Sequence, residues 1–209
     1  MLLVARTRPH LVASFLLILM NALALAQHPS RTPAFVSVGV GPFWPEQSGF
    51  AETYDSRSVL AGSVGFGLPV ARQLHLYGKV MYIARKSVDE SAQFKQWLLD
   101  AGLEYGLPLV GDINLAFQGG VAYSVVSEEM KEVDGSSSSL HGSGIQGLFA
   151  GVGAERPFDR SSCSVFAEIQ YNAPLSTAAA LVSDYGGLSV TLGIRYRLID
   201  DKSSNESTK

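Results

Sequence analysis

The chain is poor in charge. Acidic and basic residues fill 17% of its 209 positions, against ~25% in an average soluble domain. It has one cysteine, Cys163, so no internal disulfide can form, and no Cys/His cluster with metal-ligand spacing exists. A formal net charge of −3 offers no basic surface for nucleic acid. Glycine-rich pieces do occur, at Gly39-x-Gly41, Gly65-x-Gly67 and Gly151-x-Gly153. None of them opens a helix after a strand, which excludes a nucleotide-binding loop. These absences leave no metal, cofactor or nucleic acid to assign.

What is present is period two. Leu188, Val190, Leu192, Ile194, Tyr196 and Leu198 alternate with Ser189, Thr191, Gly193, Arg195 and Arg197. Side chains of a strand change face at every residue, so this is a strand and not an amphipathic helix. Its polar face mixes very small residues with arginines. A membrane barrel places such a face in its lumen and the apolar face in lipid.

The motif Thr191-x-Gly193-x-x-Tyr196-x-Leu198 resembles the closing-strand signal of bacterial outer-membrane β-barrels. In that family the signal usually lies at the C-terminus. Here a polar tail, residues 200–209, follows it. The resemblance implies an all-β, eight-stranded antiparallel up-and-down transmembrane β-barrel, similar to the OmpA-type transmembrane domain and its porin-like small relatives. It also implies two partners: outer-membrane lipid, and the barrel-assembly machinery during insertion.

The rest of the chain fits that expectation. Residues 1–26 read as a secretory signal, with Arg6 and Arg8 before an apolar run that ends in Ala24-Leu-Ala26. Residues 27–199 form the expected barrel. Eight alternating segments begin near Ala34, Ser58, Gln73, Lys95, Ile113, Gly144, Ser162 and Leu188. Their connections run long, short, long, short, long, short, long. Outer-membrane barrels join even numbers of strands by short periplasmic turns and longer extracellular loops. Both termini are therefore expected in the periplasm. The long connections Trp44–Arg57, Ser127–Ser143 and Asn172–Gly187 are expected as surface loops, and the acidic, Gly/Ser-rich composition of Ser127–Ser143, which builds no core, marks it as mobile.

On the apolar face, Tyr82, Trp97, Tyr123 and Tyr171 fall near the long loops, and Phe66, Tyr105 and Tyr196 near the short turns. They are expected as two aromatic girdles at the membrane interfaces. Opposite parity sends Lys79, Arg85, Arg195 and Arg197 inside with Asp100, Glu104, Glu155 and Glu168. Four cations and four anions would balance in a lumen just wide enough for side chains. If Tyr82 stands opposite Trp97, Lys79 stands opposite Asp100, within reach of a salt bridge. Leu98 breaks the polar rule of that face.

One triplet suggests chemistry. His141-Gly-Ser143 resembles the His-x-Ser pair of outer-membrane lipid A deacylases, themselves eight-stranded barrels. It lies at the edge of a Gly/Ser-rich loop, where such triplets arise by composition, and the nearest downstream acid, Glu155, falls at the far end of the sixth strand. The sequence therefore reads as a non-enzymatic outer-membrane barrel with a structural or loop-mediated surface role, with no catalytic residue assigned. The alternatives are a narrow small-solute pore, a lipid-modifying hydrolase and, with the faces reversed, a soluble lipocalin-like barrel. No extracellular ligand is legible. Cys163, near the short-turn rim, reads as a rim thiol or as one half of an intermolecular disulfide.

Overall fold

A computed structural model describes residues 33–46, 49–109, 112–131, 137–159, 161–175 and 186–198, with backbone alone for 131 and 140–145. The expected signal, residues 1–26, and the tail, residues 200–209, lie outside the described residues.

Alternating sequence gives long strands: β1 Ala34–Pro45, β2 Val59–Ala71, β3 Leu74–Lys86, β4 Ala92–Pro108, β5 Asn114–Lys131, β6 Ser137–Pro157, β7 Cys163–Pro174 and β8 Gly187–Leu198. Each pairs antiparallel with its neighbour in sequence, and β8 pairs back onto β1, closing a barrel. Closure leaves no open sheet edge around the ring, the condition for a sheet to stand in hydrocarbon. One short helix, α1 at Phe50–Tyr54, interrupts the β1–β2 connection.

Parity decides what each strand shows. Val36, Val38 and Val40 of β1 are exposed on the outer wall, while Phe35 and Ser37 are buried inside. On β8, Leu188, Leu192, Ile194, Tyr196 and Leu198 face out, and Ser189, Thr191 and Arg195 are buried. Glycine lets the wall close tightly where a side chain would not fit. Gly102 and Gly120 stand opposite each other on β4 and β5, and a Cβ on Gly102 would come within 2.1 Å of the Gly119 carbonyl oxygen. Aromatic rings cover two other glycines across a rung, Phe66 over Gly78 and Phe35 over Gly67.

The long connections differ from expectation at two places. Much of Ser127–Ser143 is not loop: β5 runs to Lys131 and β6 starts at Ser137, with one irregularity at Ser124/Val125. The ladder is made of main-chain groups, which serine supplies as well as valine does. Alternation also persists past Val125, with Val126 and Glu128 buried inside. The second place is Trp44–Arg57. Trp44 and Pro45 belong to β1, and α1 sends Phe50 and Tyr54 into the barrel mouth. Rings at i and i+4 share one face of a helical turn. Of the third connection, residues 176–185 lie outside the described residues.

Candidate functional site

The inward side chains lie in three layers. The first lies toward the short turns. Arg195 of β8 donates from Nη1 to Glu104 Oε1 and to Glu155 Oε2, and from Nη2 to Glu104 Oε2, all at 2.9 Å. Its guanidinium also lies 3.7 Å from the centre of the Phe35 ring. Arg197 reaches Glu155 from the rim at 2.6 Å, and Ser164 Oγ donates to the same carboxylate. A vestibule of about 360 Å³ opens from the short turns up to this layer, lined by Glu104, Glu155 and Arg195 together with His75, Asn114 and Arg197.

The middle layer is continuous with the first through Gln118. Its amide donates to Glu104 Oε2 at 2.9 Å and to Glu168 Oε2 at 2.8 Å. Lys79 Nζ lies 2.6 Å from Glu168 Oε1 and also donates to Gln170 Oε1. Gln170 passes the chain on to Asp100 Oδ2 at 2.8 Å and to Asn172 Oδ1 at 2.7 Å, and Asn172 donates to Asp100 Oδ1 at 2.9 Å.

The register sets Tyr82 opposite Trp97 and Lys79 opposite Asp100. The expected Lys79–Asp100 salt bridge nonetheless does not form. From the middle of the barrel the ammonium reaches across to Glu168 on β7, and Asp100 is held by two amides. The expected balance of four and four also changes. Arg85 stands at the long-loop mouth, where Nη2 donates to the Tyr54 carbonyl oxygen at 3.4 Å. The connected network therefore holds Lys79, Arg195 and Arg197 against Asp100, Glu104, Glu155 and Glu168. Gln118, Gln170, Asn172 and Ser164, which join these charges, carry no charge to single them out. Their inward parity was the available signal.

The third layer, toward the long loops, is mainly apolar, with Gln96 donating to Ser124 inside it at 2.9 Å. Phe43, Val59, Ala61, Met81, Ile83, Phe94, Leu98 and Val126 are buried around Phe50 and Tyr54 of α1. Leu98 thus has its reason for sitting on an otherwise polar face: it floors this cluster. Phe94 meets both helix rings, with centroids 5.2 Å from Phe50 and 6.0 Å from Tyr54. The Tyr54 hydroxyl donates to buried Glu128 at 2.6 Å.

Outside, Phe66, Tyr82, Trp97, Tyr105, Tyr123, Tyr171 and Tyr196 are all exposed on the wall. Tyr82 and Trp97 touch, with centroids 4.5 Å apart. Thr191, Gly193, Tyr196 and Leu198 lie on β8, opposite β1 and β7. Above Tyr82, Trp97 and Tyr123 the outward residues become Lys86, Lys95, Ser127 and Glu129. There the β3–β4 turn is tied by Asp89, which accepts from the Ser87 and Ser91 hydroxyls at 2.7 Å. The Ser91 and Ser87 bonds hold its carboxyl at about 2, below the usual aspartate range. A recess of about 440 Å³ lies between this turn and the β5–β6 hairpin, lined by Glu90, Gln93, Glu129 and serines 137–139.

The backbones of His141 and Ser143 lie in β6, opposite Ser127 and Val125, and their side chains lie outside the described residues. Glu155, the acid considered for them, is engaged at the other end by Arg195 and Arg197. Cys163 opens β7 opposite Tyr196 as a free thiol. Among the described residues no group of three His, Cys, Asp or Glu is placed to hold a metal.

No family model matches the chain, and no curated protein matches it in sequence. Solved structures do match it in shape. Neisserial surface protein A superposes with a TM-score of 0.58 at 13% identity, over 79% of this chain and 97% of that one. The Yersinia pestis attachment invasion locus protein Ail, bound to the heparin analogue sucrose octasulfate, gives 0.56 at 16% identity, over 80% and 99%. OprG of Pseudomonas aeruginosa gives 0.53 at 12% identity, over 82% and 98%. The fold is that of the small eight-stranded outer-membrane barrels.

Proposed function

We propose that the chain is an integral outer-membrane barrel, sealed along its axis, that serves a structural or surface-interaction role through its long-loop end and catalyses no reaction. The outer wall carries this reading. Apolar side chains cover it between the two sets of aromatics, and the outward face turns charged only beyond them. On β4 the band from Trp97 to Tyr105 spans eight residue steps. That is about 26 Å of strand, which a tilt of roughly 40° reduces to ~20 Å, near the ~25 Å apolar band of such barrels. A lipocalin-like barrel would place these side chains inside, so the exposed band speaks against it.

In this reading Tyr82, Trp97, Tyr123 and Tyr171 mark the outer interface, and Phe66, Tyr105 and Tyr196 the inner one. The short turns and both termini then face the periplasm. Thr191, Gly193, Tyr196 and Leu198 serve as the closing-strand signal read by the barrel-assembly machinery. The charges of the lower interior, with their bridging amides, act as a plug. Surface and attachment proteins among the fold neighbours support a contact role for the outer end. That end carries Glu46, Glu52, Asp55, Asp89, Glu90, Glu128 and Glu129 against Arg57, Arg85, Lys86, Lys95 and Lys131. Among the described residues it lacks the basic excess that a sulfated polyanion of the kind bound to Ail would call for.

Leu192 is 59% exposed on the outer wall at the middle of β8. Leu192→Arg should cost roughly 2–4 kcal/mol of folding free energy in lipid, measured by urea unfolding from vesicles. A purified chain that stays folded and soluble without detergent would overturn the membrane reading. The closed lumen has its own test in planar bilayers. Eight strands packed with side chains should give no steady conductance, and a stable pore of nanosiemens size would establish the channel reading instead.

A further inference from the structure

We propose that the apolar upper chamber is a binding site for a small neutral ring compound bearing a hydroxyl group, a phenol-type molecule, and that α1 is its displaceable lid. The inference rests on the membrane reading only for the side from which the ligand arrives. Below Leu98 the lumen combines the charged network with the buried rings of Phe35, Tyr77, Phe149 and Phe166. Above Leu98 lies a chamber walled mainly by Phe43, Met81, Ile83, Phe94 and Val126, with the hydrogen-bonded pair Gln96 and Ser124 in its wall, and the chain fills this space with two rings from a loop as well as with strand side chains.

The lid is weakly built. It has five residues, with no side-chain cap at its first turn. Isolated helices shorter than ~12–15 residues are marginal in water, so α1 depends on its rings staying in the chamber. Both of its flanks are left-handed, at φ 80 for Gly49 and φ 47 for Asp55. Asp55 is not glycine, so its backbone is strained in the closed position.

The lid also shows what chemistry the chamber accepts. Tyr54 is itself a phenol, fully buried, donating its hydroxyl proton to Glu128. Glu128 is 5% exposed, so a displaced Tyr54 would leave a buried carboxylate without that donor. A ligand that swaps in must therefore supply a hydroxyl at the same place, and a plain hydrocarbon cannot. Beside it, Arg85 Nε is buried with no acceptor among the described residues, which suits an oxygen that both donates and accepts. The polar middle layer closes the floor. The chamber is thus a dead-end site open toward the long loops.

The test uses the full mature chain in lipid nanodiscs, with 2-naphthol and 2-methoxynaphthalene as probes. Methyl NMR follows Met81, Ile83 and Leu98 inside and Leu192 outside, while amide exchange follows residues 50–54. 2-Naphthol should shift the inner methyls in the wild-type protein and speed exchange of the helix amides. 2-Methoxynaphthalene, which cannot donate to Glu128, should bind about tenfold more weakly. Glu128→Leu should remove that difference. If both probes move only Leu192, they partition into lipid and the proposal fails. It fails equally if 2-naphthol enters F50A/Y54A but not the wild type, because α1 is then a permanent part of the core. Vesicle insertion is read separately, so loss of the membrane reading would not be mistaken for loss of the site.

Discussion

Arg195→Met should destabilise the folded barrel by about 3–5 kcal/mol, the range for breaking a buried ion pair from one side. Arg195 is 5% exposed, and its two terminal nitrogens serve Glu104 and Glu155 together. Methionine keeps the volume over the Phe35 ring but leaves two carboxylates facing each other across the barrel. Glu155 retains Arg197 and Ser164, and Glu104 retains only the Gln118 amide. The larger share of the loss therefore falls on Glu104, and adding Glu104→Gln should recover much of it. Arg195→Lys should fall between, because an ammonium is a point charge and cannot reproduce the forked pairing. The measurement is urea unfolding from vesicles, followed by tryptophan emission. The vestibule supplies the competing outcome. If its 360 Å³ admits water up to Glu104, the loss would shrink below about 1 kcal/mol, and the lower layer would be a wetted rim rather than a seal.

The strands, their order and their register were legible because one physical rule, alternation between lipid-like and lumen-like faces, applies to nearly every rung. A single aromatic pair, Tyr82 with Trp97, was enough to set β3 against β4, since a slip of one residue would turn every side chain to the wrong face. The partner of Lys79 was not legible. Register names the residue across a rung, but a narrow barrel brings opposite walls within reach of a lysine. Glu168 on β7, 89 positions away in sequence, competes with the neighbour on β4 and prevails. The interior amides were hidden for a related reason: Gln118 and Gln170 are ordinary polar residues until the barrel closes and sets charges on both sides of them. Two readings failed at the long-loop end. A five-residue helix is shorter than any window in which periodicity can be seen, so α1 reads as loop in the sequence. Only the serine-rich start of β6, residues 137–143, reads as loop by composition, although the alternation of β5 continues beside it, with Val126 and Glu128 pointing inward. The apolar upper layer is signalled by Leu98, and equally by Met81 and Ile83, which share the inward parity of Lys79 and Arg85 on β3.

Lys79→Met gives the second large effect, about 3 kcal/mol, at the lower end of the range for one-sided loss of a buried pair. Lys79 is 4% exposed and donates to Glu168 and Gln170. Its removal changes the connected network from three cations against four carboxylates to two against four. The loss stays at the lower end because Gln118 continues to donate to Glu168 Oε2. The structure also ranks the compensating changes. Glu168→Gln should rescue Lys79→Met, since an amide at 168 needs no cation. Asp100→Asn in the wild type should cost about 1 kcal/mol or less, because that carboxylate is held by the Gln170 and Asn172 amides and is not ion-paired to Lys79. Double-mutant cycles read this directly. The coupling of Lys79 to Glu168 should exceed its coupling to Asp100 by about 1 kcal/mol or more. Equal couplings would mean that the ammonium samples both carboxylates. The middle layer would then be a mobile charge rather than a fixed plug, and the barrel could carry cations through the gap that the motion opens.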